Sequence, residues 1–328
     1  MSAEKPKILI TDCEVYLNDA QIAQLRERAD VVQPEQWDEA TLVEAAAGAD
    51  YIVHSFFPAI SAPVIEASGN LKATVKYGVG IDNVDVDAVT RQGALVVNCP
   101  EYGTATVADH AFALLISLAR RIREIDAATR DQAWVWPAPE FMGVDLAGKT
   151  VGLVGFGRIG RAMCKRAAGF DMTPIYYDPY VAQDAVSETG AQSVGFDELL
   201  ERADFITIHC ILTDETRGLV NEAALHKMKE TAYLIDVSRG AIIDEDALVR
   251  ALNEEWIAGA GIDVFPIEPL PEGYPLLSAK NAILTSHLAW YTLEADARLA
   301  QECMDRITEL LDGKRPRNIM NAEALGLS

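Results

Sequence analysis

The stretch TVGLVGFGRIG, residues 150–160, begins as an apolar strand and ends as the opening of a helix. Gly155, Gly157 and Gly160 fit the pattern G-x-G-x-x-G ahead of the helix-like segment Arg161–Ala168, and this strand-to-helix context gives the pattern its physical meaning. Gly155 permits a tight turn, Gly157 lets the backbone approach a pyrophosphate, and Gly160 permits close packing of helix on strand. The unsatisfied N–H groups and positive dipole of the helix N-terminus make an anion site, where Arg158 and Ile159 are the first residues able to offer contacts. Farther along, Asp178 in IYYDPY ends the next strand. A carboxylate there can bind the two adenosine ribose hydroxyls and repel a 2′-phosphate, and no basic residue follows immediately, so the stretch predicts NAD rather than NADP.

Outward from this motif the chain alternates strand-like and helix-like runs. Before it lie strand candidates Lys7–Thr11, Val31–Gln33, Tyr51–His54, Ala73–Lys76 and Ala94–Asn98, separated by helix-like segments such as Asn18–Ala29 and Thr41–Ala47. A single long helix is expected over Thr106–Asp131, apolar at Val107, Ala111, Leu114, Leu115 and Leu118. The segment Trp134–Gly148 breaks the helical period with prolines and glycines. A second series follows, with strands Thr150–Val154, Thr173–Tyr177, Phe205–His209, Tyr233–Asp236, Gly259–Ile262 and Ala282–Thr285. The remainder reads as helix with an irregular tail near Arg315–Asn318. This alternation predicts an α/β protein with parallel sheets, and 328 residues are too many for one typical core.

Composition narrows the function classes. The formal net charge is −22, which opposes binding to nucleic acid or to an anionic membrane surface. No apolar run approaches a membrane span, and the N-terminus carries no secretory pattern. Cys13, Cys99, Cys164, Cys210 and Cys303 are scattered without metal-ligand spacing, so reduced thiols, no metal centre and a cytoplasmic protein are expected. The acidic, lysine-poor composition suits a salt-rich cytoplasm, where screening relieves self-repulsion. It equally suits a generically acidic enzyme.

Three stretches follow strand ends of the second series, where open α/β sheets bind ligands. LIDVSRGAIID carries Arg239, GIDVFPIEPLP carries Asp263 and Glu268, and LTSHLAWYTLEA carries His287. An arginine, a carboxylate and a histidine at successive strand ends form a plausible site for a keto or hydroxy acid. Each alone has an ordinary structural reading: a surface ion pair, a solvated loop charge and a core histidine.

Together TVGLVGFGRIG, YYDPY, SRGAIIDEDAL, GIDVFPIEP and TSHLAW resemble the D-isomer-specific 2-hydroxyacid dehydrogenase family. The resemblance also takes in VKYGVGIDNVDVDA (75–88) and ATVADHAFALL (105–115) and covers nearly the whole chain in order. Within the family, His-x-x-Trp-Tyr resembles the branch of the C-terminal binding proteins and their bacterial dehydrogenase relatives. The resemblance implies two Rossmann-like domains facing a cleft. A flavodoxin-like substrate domain (1–102 and 287–328) would be interrupted by an NAD-binding domain (103–286), and the protein would form a homodimer through the latter. It implies that Arg239 binds the substrate carboxylate, that His287 is the acid/base and that Glu268 pairs with it. Ser238 and Asp263 fall at cofactor positions, Asp263 at the one that holds the nicotinamide carboxamide. A histidine's ordinary pKa of about 6.5 suits the acid/base task. The Glu268–His287 pair also disfavours a formate dehydrogenase, since those relatives use glutamine in place of the glutamate.

The chain departs from the usual family pattern at Ile211 and Ser286, where proline is usual, and at Asp236, where asparagine is usual. For the substrate, the resemblance points to Val79 and Gly80 for the carboxylate end. Lys76, the loop His54–Phe57, Tyr102, Trp290 and Tyr291 would surround the variable end. Lys76, if it points inward, suits a second anionic group such as that of 3-sulfolactate, 3-phosphoglycerate or a dicarboxylic acid; as an ordinary surface lysine it leaves glyoxylate, hydroxypyruvate or an aromatic 2-oxo acid open. The competing reading is an NAD(H)-sensing co-regulator or binding scaffold like the C-terminal binding proteins.

Overall fold

The computed structural model describes residues 5–12 and 15–327; Cys13 lies outside them. The first series comprises β1 (Lys7–Ile10), α1 (Asp19–Arg28), β2 (Asp30–Val32), α2 (Glu39–Ala46), β3 (Tyr51–His54), α3 (Ala62–Ser68), β4 (Ala73–Lys76), α4 (Val86–Arg91) and β5 (Leu95–Val97). Polar residues start its helices. The Asn18 side chain accepts from Gln21 N while Gln21 returns a bond to Asn18 N, and Asp38 and Asp85 cap α2 and α4. The strands form one parallel sheet in the order β2-β1-β3-β4-β5. β3 and β4 are buried at every residue, as expected of strands covered on both faces.

The second series comprises α5 (Thr104–Ala119), α6 (Ile122–Gln132), β6 (Thr150–Val154), α7 (Arg158–Ala168), β7 (Thr173–Tyr177), β8 (Gln192–Ser193), α8 (Phe196–Arg202), β9 (Phe205–Ile208), α9 (Glu222–Lys227), β10 (Tyr233–Asp236), α10 (Glu245–Asn253), β11 (Gly259–Ile262) and β12 (Ala282–Leu284). Its parallel sheet runs β12-β11-β10-β9-β6-β7-β8. Strand order reverses beside β6, which lies between β9 and β7; ligands of open sheets bind at such a reversal, outside the carboxyl ends of the strands. α11 (Leu293–Leu311) closes the chain.

The single helix expected over Thr106–Asp131 is two. Arg121 breaks it with φ 49°. The carbonyl of Ala119 accepts from Val144 N at 2.7 Å, and a Cβ on Gly143 would sit 2.5 Å from that oxygen. The chain after α6 thus returns to lie on the end of α5. α5 buries Ala108, Ala111, Leu115 and Ala119, whereas α6 buries none of its residues.

The chain divides into two compact units. One contains residues up to Gly103 together with Thr292 onward; the other is Thr104–Tyr291. His287–Tyr291, assigned from sequence to the returning part of the first domain, cluster with the second unit because their backbone is bonded to Asp263. In the first unit, the tail that reads as irregular is pinned to β5. Asn321 accepts from Val96 N at 2.9 Å and donates to the Ala94 carbonyl at 2.9 Å. Among the described residues, no helix is long and apolar enough to cross a membrane.

Candidate active site

The glycine motif forms the turn from β6 into α7. Gly155 has φ 90°, and a Cβ there would meet Cys210 N at 2.4 Å. A Cβ on Gly160 would lie 2.3 Å from the Gly155 carbonyl oxygen. Both positions are closed to side chains by backbone. Gly157 differs: a Cβ there meets nothing within 4 Å. It precedes α7 without a side-chain cap, so the first N–H groups of an eleven-residue helix border open space, with Arg158 exposed and Ile159 half-buried. An uncapped helix N-terminus beside open space is the kind of place where a phosphate group binds. Asp178, at the end of β7, accepts from Phe156 N at 2.8 Å and from Tyr180 N at 2.9 Å. Its carboxylate is thereby fixed beside the glycine turn.

His287 follows β12 with φ 57°, a left-handed conformation that costs a non-glycine residue of order 1–3 kcal/mol. Asp263 holds it there. The Asp263 carbonyl accepts from His287 N at 2.7 Å, and the Asp263 carboxylate, fully buried, accepts from Leu288 N and Ala289 N at 2.9 Å each. Thr285 Oγ1 donates to the same carboxylate at 2.5 Å. With its proton committed there, the Thr285 hydroxyl accepts from His110 Nε2 at 3.0 Å. The loop is thus built around one buried carboxylate. At its tip, His287 Nδ1 donates to Glu268 Oε2 at 2.7 Å, and Glu268 Oε1 accepts from Phe265 N at 2.8 Å. The imidazole is held through Nδ1.

Arg239 sits in the turn after β10. Its Nη1 donates to the Ser238 carbonyl at 2.8 Å, and a Cβ on Gly240 would strike the Phe265 backbone at 2.2 Å, so the turn is pressed against the chain leading to Glu268. Arginine, glutamate and histidine are therefore carried by the loops that follow β10, β11 and β12 in turn, three adjacent strands on the same side of the sheet reversal. Trp290, half-buried, makes an edge contact with Tyr291 at 5.1 Å.

Lys76, Val79 and Gly80 belong to the other unit. Lys76 is no ordinary surface lysine: it is 3% exposed, and its ammonium donates to the Ser55 carbonyl and to Asn83 Oδ1. Asn83 in turn donates to the carbonyls of Ser55 and Pro58. The lysine thus braces the loop that follows β3, whose last residue His54, fully buried, is pushed down to about 3 by burial and by the neighbouring lysine charge. Val79 is exposed, and its carbonyl accepts from Asn98. The sequence reading missed His110 and Thr285 as supports of the Asp263 carboxylate. A polar residue on the apolar face of α5 was the only signal.

Comparison with known proteins shows the family. A profile of the D-isomer specific 2-hydroxyacid dehydrogenase, NAD binding domain, matches residues 112–289. A glyoxylate reductase of Korarchaeum cryptofilum is 40% identical over 286 residues, covering 87% of this chain and 86% of its own. A chloroplastic D-3-phosphoglycerate dehydrogenase 2 of Arabidopsis thaliana is 38% identical over 97% of this chain and 50% of its own. Among solved structures, the TT0316 protein of Thermus thermophilus superposes with a TM-score of 0.87 at 35% identity, over 96% of this chain and 99% of its own. The chain belongs to the D-isomer-specific 2-hydroxyacid dehydrogenase family, and is an NAD-dependent oxidoreductase that interconverts a 2-hydroxy acid and its 2-oxo acid.

Proposed function

We propose that Arg239, Glu268 and His287 are the catalytic residues of this reaction, and that the substrate is a small 2-oxo acid of the glyoxylate and hydroxypyruvate class. The observation that carries the catalytic reading is the 2.7 Å pair between Glu268 and a His287 clamped at positive φ. Such a conformation persists where the surrounding structure over-determines it, which is characteristic of functional positions.

NAD(H), when bound, supplies or accepts the hydride. Gly155, Gly157, Arg158, Ile159 and Gly160 bind its pyrophosphate, Asp178 its adenosine ribose, and Ser238 its nicotinamide half. Arg239 holds the substrate carboxylate through its planar fork and polarises the 2-oxo group. His287 Nε2 delivers a proton to the carbonyl oxygen during reduction and takes it back during oxidation. Glu268 fixes the ring and stabilises the imidazolium. Asp263 acts chiefly by shaping the His287 loop, since its carboxylate already accepts three hydrogen bonds.

The substrate reading rests on Lys76, which spends hydrogen bonds on its own loop, and on relatives named glyoxylate reductase. A second reading, an acid with a second anionic group, is favoured by the burial of this cation at a strand end and by relatives named D-3-phosphoglycerate dehydrogenase. Steady-state NADH oxidation with glyoxylate, hydroxypyruvate, sulfopyruvate and phosphohydroxypyruvate decides between them, run beside Lys76→Met. Preference for the acids without a second charge, with the variant losing activity on all acids alike, supports the first reading. Preference for an acid with a second anionic group, lost selectively in the variant, supports the second.

The protein acts in the cytoplasm as a homodimer. Trp134, Trp136 and Met142, in the segment after α6, are between 67% and 76% exposed in the single chain, and a second copy is the occupant that the family resemblance supplies. A co-regulator role is the remaining alternative. Tight NADH binding without turnover of any 2-oxo acid would favour it.

A further inference from the structure

Asp236 ends β10 and is fully buried. Its Oδ1 accepts from Ser238 N at 2.8 Å and from Ser238 Oγ at 2.5 Å. The carbonyl of that same Ser238 accepts the Arg239 guanidinium at 2.8 Å. A short relay therefore runs from the Asp236 carboxyl through the Ser238 peptide to Arg239. The other oxygen, Oδ2, is buried and has no hydrogen-bond partner among the described residues. An asparagine would make the same bonds to Ser238 without carrying an ionisable proton.

We propose that Asp236 is a positioning residue for Arg239: it sets the turn that carries the guanidinium, and its own proton sets how strongly that guanidinium draws the substrate carboxylate. This rests on the reading in which Arg239 binds that carboxylate.

The surroundings support a proton at Asp236 in the neutral range. Burial, opposed by the two Ser238 hydrogen bonds and the Arg239 charge, pushes its carboxyl up to about 7. The charged and titratable groups that bear on it come from each neighbouring loop. Arg239 from its own turn favours ionisation, Asp263 after β11 opposes it, and Cys210 after β9 is itself pushed up to about 12, first by burial and then by Asp236. His209 beside Cys210 is pushed down to about 3 by burial and adds no charge. Loss of the Asp236 proton places a negative charge against Arg239 and cancels part of its pull on an incoming anion. By linkage, binding of that anion in turn favours the protonated acid.

The test measures the Kd of oxamate, a non-reducible 2-oxo acid mimic, against NADH-saturated protein across about pH 6 to 8.5. A His287→Gln background removes the histidine proton. The expected result is a Kd that rises about three- to tenfold across that range, tenfold corresponding to one pKa unit of coupling. Asp236→Asn in the same background should flatten the profile. A profile unchanged by Asp236→Asn would overturn the proposal. Should that variant fail to fold, calorimetry of oxamate binding in two buffers of different ionisation enthalpy replaces it. Uptake of a fraction of a proton near about pH 7 supports the proposal and zero uptake overturns it. Arg239→Lys serves as the check on the underlying reading: oxamate bound as tightly as by the parent would remove Arg239 from the substrate site, whereas lost affinity with a flat parent profile would refute only the role of Asp236.

Discussion

Gly157→Ala and Gly160→Ala separate cofactor approach from packing within one motif. At Gly160 a methyl would lie 2.3 Å from the Gly155 carbonyl oxygen. The obstructing atom belongs to the backbone of the turn after β6, so relief requires α7 to move from the sheet. Overpacking of this kind costs about 3 kcal/mol, a Tm loss of about 6–12 °C for a domain of this size. At Gly157 the φ of −72° suits any L residue and a methyl meets no protein atom within 4 Å, so stability should change by no more than about 1 kcal/mol. The methyl instead enters the cradle at the N-terminus of α7. It should raise the NADH Kd at least about tenfold, or about 1.4 kcal/mol. Thermal melts of the apo-protein and NADH fluorescence titration measure the two effects. Gly157→Ala that binds NADH like the parent, or that melts as early as Gly160→Ala, would refute the assignment of the open space to the cofactor.

Asp263→Asn places an amide where three donors converge. We expect kcat to fall by about one to two orders of magnitude, because one donor must turn away, such a loss costing about 1–3 kcal/mol. The NADH Kd should move less than about threefold, and a larger rise would return Asp263 to a carboxamide-binding role. His54 and His209 are each held neutral by burial and pushed down to about 3. Their folded pKa values lie below the unfolded one, so the protein loses stability as pH falls from about 6.5 toward 3, by about 2 kcal/mol per histidine at about pH 5. Melting curves of His209→Gln should show a shallower acid limb, and an unchanged limb would contradict this. Trp134→Ser with Trp136→Ser should shift the protein from dimer to monomer in light scattering at micromolar concentration. A retained dimer would place the interface elsewhere.

The features legible in the sequence share a physical cause: short-range chemistry with few solutions. A glycine motif between a strand and a helix, followed by an acidic residue at the end of the next strand, narrows the readings, and the strand series follows from apolar runs separated by turns. Arg239, Glu268 and His287 could be named because they end consecutive strands in a recognisable order. The break between α5 and α6 was not legible, because it depends on Gly143 returning to the Ala119 carbonyl, a contact between segments that no local pattern encodes. The environment of Lys76 was equally hidden. Its burial depends on Ser55 and Asn83, brought to it by the loops after β3 and β4. The resemblance puts Asp263 at the nicotinamide carboxamide, and only the fold shows the three donors on its carboxylate and its hold on the His287 loop at positive φ. In each case local patterning names the residue, and tertiary contacts decide what it does.

The decisive measurement is NADH oxidation at saturating glyoxylate or hydroxypyruvate by the parent protein and by His287→Ala. A proton donor at His287 predicts turnover by the parent and a loss of at least about three orders of magnitude in kcat in the variant, with NADH affinity retained. A variant that turns over within tenfold of the parent would contradict the assignment of His287 as that donor.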